Sequence, residues 1–156
     1  MPNWAGEDLV GLGREMEGKV AEILRRLGHS VAAPENRHYD LLCDGKVRVE
    51  VKVANPSGGE LVWAFNSRKR FSDHCDVVVL VANFENGLVF YVLPADHLIF
   101  YTRDGKPKAG IGITVKPTKR LRETGLALER HRDRWELVSQ IGNGAPSSFP
   151  MQEALL

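Results

Sequence analysis

Apolar positions along this chain follow two different periods, and the change from one to the other separates the elements. Between Leu12 and Leu27, the residues Met16, Val20, Ile23, Leu24 and Leu27 recur at helical spacing, with Gly28 placed as a left-handed stop. This predicts a first helix over 12–27. "HSVAAP" then reads as a short strand ended by Pro34, and "YDLLCDG" with "KVRVEVKVA" as a hairpin. "NPSGGE" is a loop by its turn residues. "LVWAFN" alternates as a strand does, with a helix start as the alternative, and "SRKRFSDHC" suits a short helix capped by Asn66 or Ser67. "DVVVLVANF" is a continuous apolar run, as in a strand covered on both faces, and "GLVFYVLP" follows the turn Glu85-Asn86-Gly87. Past Pro94 the pattern weakens: "GIGITVKP" suits a strand and Glu123 to Val138 a final helix. Residues 142–156, including "GNGAPSSFP", read as a mobile tail. Together these elements predict one α/β domain over 1–141 with a mixed central sheet flanked by helices.

The hairpin carries the first chemical question. In "VRVEVKV" the valines 47, 49, 51 and 53 share one face, while Arg48, Glu50 and Lys52 share the other. The turn decides whether Asp40 joins them. A two-residue turn at Asp44-Gly45 pairs Asp40 with Val49 and sends it to the valine face. A three-residue loop, Cys43-Asp44-Gly45 with Gly45 left-handed, pairs Leu42 with Lys46 and Asp40 with Arg48. Asp40 and Glu50 are then diagonal neighbours, about 7–8 Å apart between backbones, a gap suited to two carboxylates gripping one cation.

The helix adds a third carboxylate. On the helical wheel Glu17 lies within a quarter turn of Val20 and Leu24, beside the apolar stripe, whereas Glu15 points nearly opposite. A carboxylate there is costly without a partner, so Glu17 either reaches water or a lysine at the helix edge, or has a site to serve.

Composition narrows the setting. The chain has 156 residues, 43% of them hydrophobic and 26% charged, which fits a soluble domain with its own core. No apolar run is long enough to span a bilayer, and "MPNWAGEDLV" does not read as a secretory signal, so a cytoplasmic or nucleoid-associated protein with no membrane partner is expected. Cys43 and Cys75 lack metal-ligand spacing and read as buried reduced thiols. The net charge is only +1, but Lys116 to Arg134 holds seven Lys or Arg against three acids, a local +4. Arg68, Lys69 and Arg70 form a second basic cluster on the connection after the Glu50 strand. No histidine pair has ligand spacing, and His38 is the one nearest Asp40 in sequence. Trp63 and Trp135 read as core aromatics.

"EGKVAEILRRLGHSV", "YDLLCDG", "VEVKVA", "CDVVVLVA" and "FYVLP", in that order, resemble the PD-(D/E)XK nuclease superfamily. The likeness covers residues 14–98 and is closer to small homing-endonuclease-like or Holliday-junction-resolvase-like members than to large restriction enzymes. Tyr39 stands where a proline often precedes the aspartate. The resemblance implies a restriction-endonuclease-like αβββαβ core and a metal-dependent endonuclease hydrolysing phosphodiester bonds in DNA, duplex or branched. It matches Asp40 to the family aspartate, Glu50-Val51-Lys52 to the (D/E)-X-K element and Glu17 to the helix glutamate. Asp40 and Glu50 would then hold Mg2+, for which Mn2+ substitutes, with the Val51 carbonyl as a further ligand. Lys52 would hold the attacking water, and Glu17 would orient a metal-bound water or a second ion.

The basic residues fit the same reading. Arg68, Lys69, Arg70, Lys119, Arg120, Arg130, Arg132 and Arg134 are candidates for phosphate contacts, with the last group on an arm or helix whose far side packs through Trp135, Leu137 and Val138. A two-fold homodimer is expected, because one chain offers one site and duplex DNA has two strands. Two other readings stand beside this one: a non-cleaving nucleic-acid-binding module or partner subunit on the same fold, and a solvated hairpin face with cross-strand ion pairs.

Overall fold

The computed structural model describes residues 6–56, 61–65, 74–97, 111–115 and 128–144. The first helix, α1, spans Gly6–Arg26. Its buried stripe is Leu12, Met16, Val20, Ala21 and Leu24, while Leu27 is exposed. Gly28, at φ 96°, ends it in the left-handed region that glycine tolerates best. The His29 N–H then reaches back to the Leu24 carbonyl at 3.0 Å, a Schellman closure.

Five strands make the main sheet: β1 (Val31–Ala32), β2 (Leu41–Cys43), β3 (Val47–Ala54), β5 (Val77–Phe84) and β6 (Gly87–Pro94). They lie in the order β1-β2-β3-β5-β6. The pair β3–β5 is parallel and the other pairs are antiparallel, so the sheet is mixed. The "LVWAFN" segment is a strand, β4 (Leu61–Phe65), but it pairs antiparallel with β7 (Ile111–Val115) in a separate two-stranded sheet.

Alternation divides the interior between the two faces of the main sheet. Val47, Val49 and Val51 of β3 join Val77, Val79, Val81 and Val92 under the stripe of α1. On the other face Val78, Leu80, Tyr91 and Leu93 pack with Trp63 of β4 and Leu128. Residues 77–82 of β5 have no exposure at all, which is why this strand reads as an unbroken apolar run.

The chain beyond residue 127 departs from the expected 123–138 helix. A 3-10 turn spans Leu128–His131, and α2 starts only at Glu136, running Glu136–Gly142. Between them the backbone is captured by the open edge of β6. Arg132 bridges to Tyr91, and the Asp133 N–H donates to the Phe90 carbonyl at 2.9 Å. Asp133 takes φ 52°, which breaks any helix there. An unpaired strand edge offers acceptors that a local helical turn does not, and here the edge wins. Trp135 is half-buried against Phe90, with ring centroids 5.6 Å apart, and Leu137 and Val138 are buried. The expected helix over "SRKRFSDHC" and most of the expected tail lie outside the described residues. Among the described residues no helix is long and apolar enough to cross a membrane.

Candidate active site

The hairpin between β2 and β3 closes by a three-residue loop, as the same-face register requires, but one position later than expected. Cys43 pairs with Val47, Leu42 with Arg48 and Leu41 with Val49, so the loop is Asp44-Gly45-Lys46. Asp44 at φ 56° and Gly45 at φ 69° are both left-handed, and the Lys46 N–H donates to the Cys43 carbonyl at 3.1 Å. Continuing that register by one step sets Asp40 opposite Glu50 instead of opposite Arg48. The parity is that of the expected loop, so Asp40 keeps to Glu50's side, and the shift brings the two closer.

Asp40 has already left the regular ladder. Its own N–H donates to the Val49 carbonyl at 2.9 Å. Its carboxylate accepts the Val51 N–H at 2.7 Å, replacing the carbonyl that β2 no longer provides there. This holds the carboxylate near the plane of the sheet, at the open end of the β2–β3 pair. Glu50 and Lys52 project from the face opposite the valines, since their partners across the parallel ladder are Val78 and Leu80. Glu17 comes from α1, on the valine face. Asp40 is therefore the meeting point of groups from both sides of the sheet.

The electrostatics follow from that convergence. Glu17 is pushed up to about 7, first by burial and then by the charge and hydrogen bond of Asp40, with Arg14 pulling the other way. Glu50 is pushed up to about 8 by burial first and Asp40 second, against the opposing pull of Lys52. The Lys52 Nζ stands 3.5 Å from Glu50 Oε1, and the Glu50 side chain is only 13% exposed. Burial and like charge both disfavour the anion, so Glu17 and Glu50 each hold a proton to higher pH than a free carboxyl does. Cys75, fully buried beside this group, has its thiol raised by burial and then by Glu50.

One side chain at the edge of the site, Asp76, carried only a faint signal in the pattern. Asp76, just before β5, accepts the Arg48 N–H at 2.8 Å and the Arg48 guanidinium at 3.1 Å on each oxygen. A charged residue directly ahead of the apolar run "VVVLVA" was the one available hint. His38 stacks on His74 with ring centroids 4.6 Å apart, linking the segments that lead into Asp40 and Asp76.

At the turn of the same hairpin the ligand atoms of His29, Cys43 and Asp44 all lie within 4.8 Å of one another. These groups are already satisfied as a brace. His29 Nδ1 bonds Asp44 Oδ2 at 2.7 Å and its Nε2 bonds Ser139 Oγ at 3.3 Å, while Asp44 Oδ1 accepts the Ser30 N–H at 2.9 Å. Burial and then Asp44 push the Cys43 thiol up to about 11, so it stays protonated.

Of the candidate phosphate contacts, Arg68, Lys69, Arg70, Lys119 and Arg120 lie outside the described residues. Arg130 and Arg132 are exposed beside β6, and Arg134 pairs with Glu136 at 3.5 Å. The ladder partners align Lys52, Leu80, Tyr91 and Arg132 in one row across the sheet. At strand spacing the row is about 14 Å long between backbones.

No protein-family model matches the chain, and no curated protein matches it. Among solved structures, the bacterial homing endonuclease I-Ssp6803I is similar to it. The two are 29% identical with a TM-score of 0.58, over 84% of this chain and 91% of that one. The fold is similar to that of a homing endonuclease.

Proposed function

We propose that this chain is a Mg2+-dependent endonuclease of the PD-(D/E)XK type that hydrolyses phosphodiester bonds in DNA. One observation carries the reading: Asp40, fixed by the Val51 N–H, gathers Glu17 and Glu50 against itself with Lys52 on the far side of Glu50. Likeness to a homing endonuclease over most of both chains supports it.

The donor set fits a hard divalent cation. Three carboxyls crowd together where burial first and like charge second oppose ionisation of Glu17 and Glu50, and oxygen-rich sites of this kind take Mg2+ or Mn2+. Asp40 and Glu50 would hold the ion, with Glu17 across Asp40. The Val51 carbonyl, which leaves β3 on the same side as the N–H bound by Asp40, points to the same open edge. A bound cation supplies charge against the phosphate and lowers the pKa of a water.

The chain's own groups complete the site. Lys52 positions the attacking water and offsets charge gathering on the phosphate, and Glu50 keeps its ammonium in place. Arg130 and Arg132 at the far end of the Lys52 row would meet phosphates farther along the strand, and a two-fold dimer would present one site to each strand.

The test is incubation with plasmid, single-stranded and branched DNA in Mg2+, Mn2+ or EDTA. Cleavage in Mg2+ and Mn2+ and none in EDTA is expected. Binding to every substrate without a cut in any metal would instead make the chain a non-cleaving module.

A further inference from the structure

β3 is gripped from both edges by aspartate side chains. On the β2 side Asp40 takes the Val51 N–H, and on the β5 side Asp76 takes the Arg48 N–H at 2.8 Å. Each bond lies where the neighbouring strand offers no carbonyl, and Glu50 sits between the two. Asp76 is itself tied down. Its N–H donates to the Arg48 carbonyl at 2.8 Å, the Arg48 guanidinium holds both of its oxygens, and its carbonyl accepts the Ala95 N–H at 3.1 Å.

This grip supplies register information that the sequence of the two strands lacks. β3 reads VRVEVKVA and β5 reads VVVLVANF, and the pair is parallel, so no tight hairpin fixes their relative height. A one-residue slip would turn every valine of β3 outward and is strongly disfavoured. A two-residue slip keeps each valine on its face and costs little in apolar matching, yet it would carry the β2–β3 hairpin about 6–7 Å along the sheet. Asp40, Glu50 and Lys52 would then move together, away from Glu17 on α1 and from the Leu80–Tyr91–Arg132 row.

We propose that Asp76, locked by Arg48, is a positioning residue that sets the height of the Glu50–Lys52 strand against α1 and β5. The inference rests on the nuclease reading of the Glu17, Asp40, Glu50 and Lys52 site. Arg48 has a second effect: by pairing Asp76 it keeps the charge of a fourth carboxylate balanced beside that site.

Asp76→Ala, Arg48→Ala and the double variant, with Asp76→Asn as the conservative change, are compared by single-turnover cleavage at saturating enzyme and by DNA affinity. Each alanine variant should lower the chemical rate by about 10- to 100-fold, as small misplacements of reacting groups do, with affinity within about threefold. The double variant should be no slower than the slower single, because the pair acts as one unit. Asp76→Asn, which keeps an oxygen for the Arg48 N–H, should fall between alanine and wild type. Additive losses, wild-type rates throughout, or a loss of affinity with a shallower salt slope in Arg48→Ala would each overturn the proposal. A wild-type protein that cuts nothing would sink the nuclease reading, and the clamp is then read from amide exchange. The Glu50 and Lys52 N–H groups point toward β5, as that of Arg48 does, and should exchange at least about tenfold faster in Asp76→Ala, while those of Val78 and Leu80, which face β6, do not. Equal protection of Glu50 and Lys52 in variant and wild type would overturn the clamp.

Discussion

Asp40 and Asp44 belong to the same hairpin, four residues apart, and their surroundings are opposite in kind. Asp44 meets donors only: His29 Nδ1, the Ser30 N–H and the Ser30 hydroxyl. These hold its carboxyl below the ordinary range, with the His29 hydrogen bond the largest cause. Asp40 meets one donor, the Val51 N–H, and two further carboxyls. The turn end is electrostatically satisfied and braces α1, the hairpin and α2 through Ser139. At the mouth, burial and the charge of Asp40 oppose ionisation of the neighbouring carboxyls, which a bound cation would relieve. Residue type is therefore a poor guide to role here, and the sign of the neighbours is a good one.

The largest expected effect separates the two aspartates by activity. Asp40→Asn, Glu50→Gln and Lys52→Ala should each lower cleavage at least about 100-fold while DNA binding persists, since each removes charge used at the phosphate or its water. Asp44→Asn should cut within about threefold of wild type. Lys52→Ala cleaving at the wild-type rate would remove the mechanism, and a dead Asp44→Asn would collapse the contrast.

The next effect is on stability and runs in opposite directions at the two ends. Glu17 and Glu50 have folded-state pKa values near 7 and 8, above the ordinary 4.5. Their contribution is thus full below about 4.5 and is lost as pH rises through 7–8. Without divalent ions, thermal unfolding of the wild type should drop between pH 5 and 8.5. Glu50→Gln should flatten that fall and melt about 3 °C or more above wild type at pH 8.5, and Mg2+ should stabilise wild type at that pH by mass action. Asp44, whose pKa is depressed, contributes above its ordinary 3.8 and loses this as pH falls through its folded value. Asp44→Asn should therefore cost about 1 kcal/mol at pH 7, with the difference fading in acid. Melting curves across pH for the three proteins decide it, and a wild type that grows steadily more stable up to pH 8.5 would contradict the crowding.

The smallest effect concerns the far edge of the sheet. Replacing Arg130, Arg132 and Arg134 by alanine should make the salt dependence of DNA binding shallower by about two units of log–log slope. The full three units are not expected, because Arg134 is engaged by Glu136. The single-turnover rate of bound substrate should not change. Binding titrations at several salt concentrations measure this, and an unchanged slope would assign the segment to capping the β6 edge alone.

What the sequence determined by itself were the features set by neighbours along the chain. The stripe of α1, the alternation of VRVEVKV and the unbroken run of β5 all appear where their periods place them, because burial selects one face at each step. Glu17, Asp40, Glu50 and Lys52 were legible for the same reason, each being a polar residue at a position defined by its element. The tertiary structure decided every choice between distant partners of similar merit. It moved the hairpin loop to Asp44-Gly45-Lys46 and so set Asp40 opposite Glu50, two registers of equal parity being indistinguishable from the pattern alone. It paired β4 with β7 and drew Arg132 and Asp133 onto β6 at the expense of a helix. It also joined Asp76 to Arg48 across 28 positions of chain. A local period records which face is buried, whereas a hydrogen bond or ion pair between remote segments exists only once the fold has brought them together.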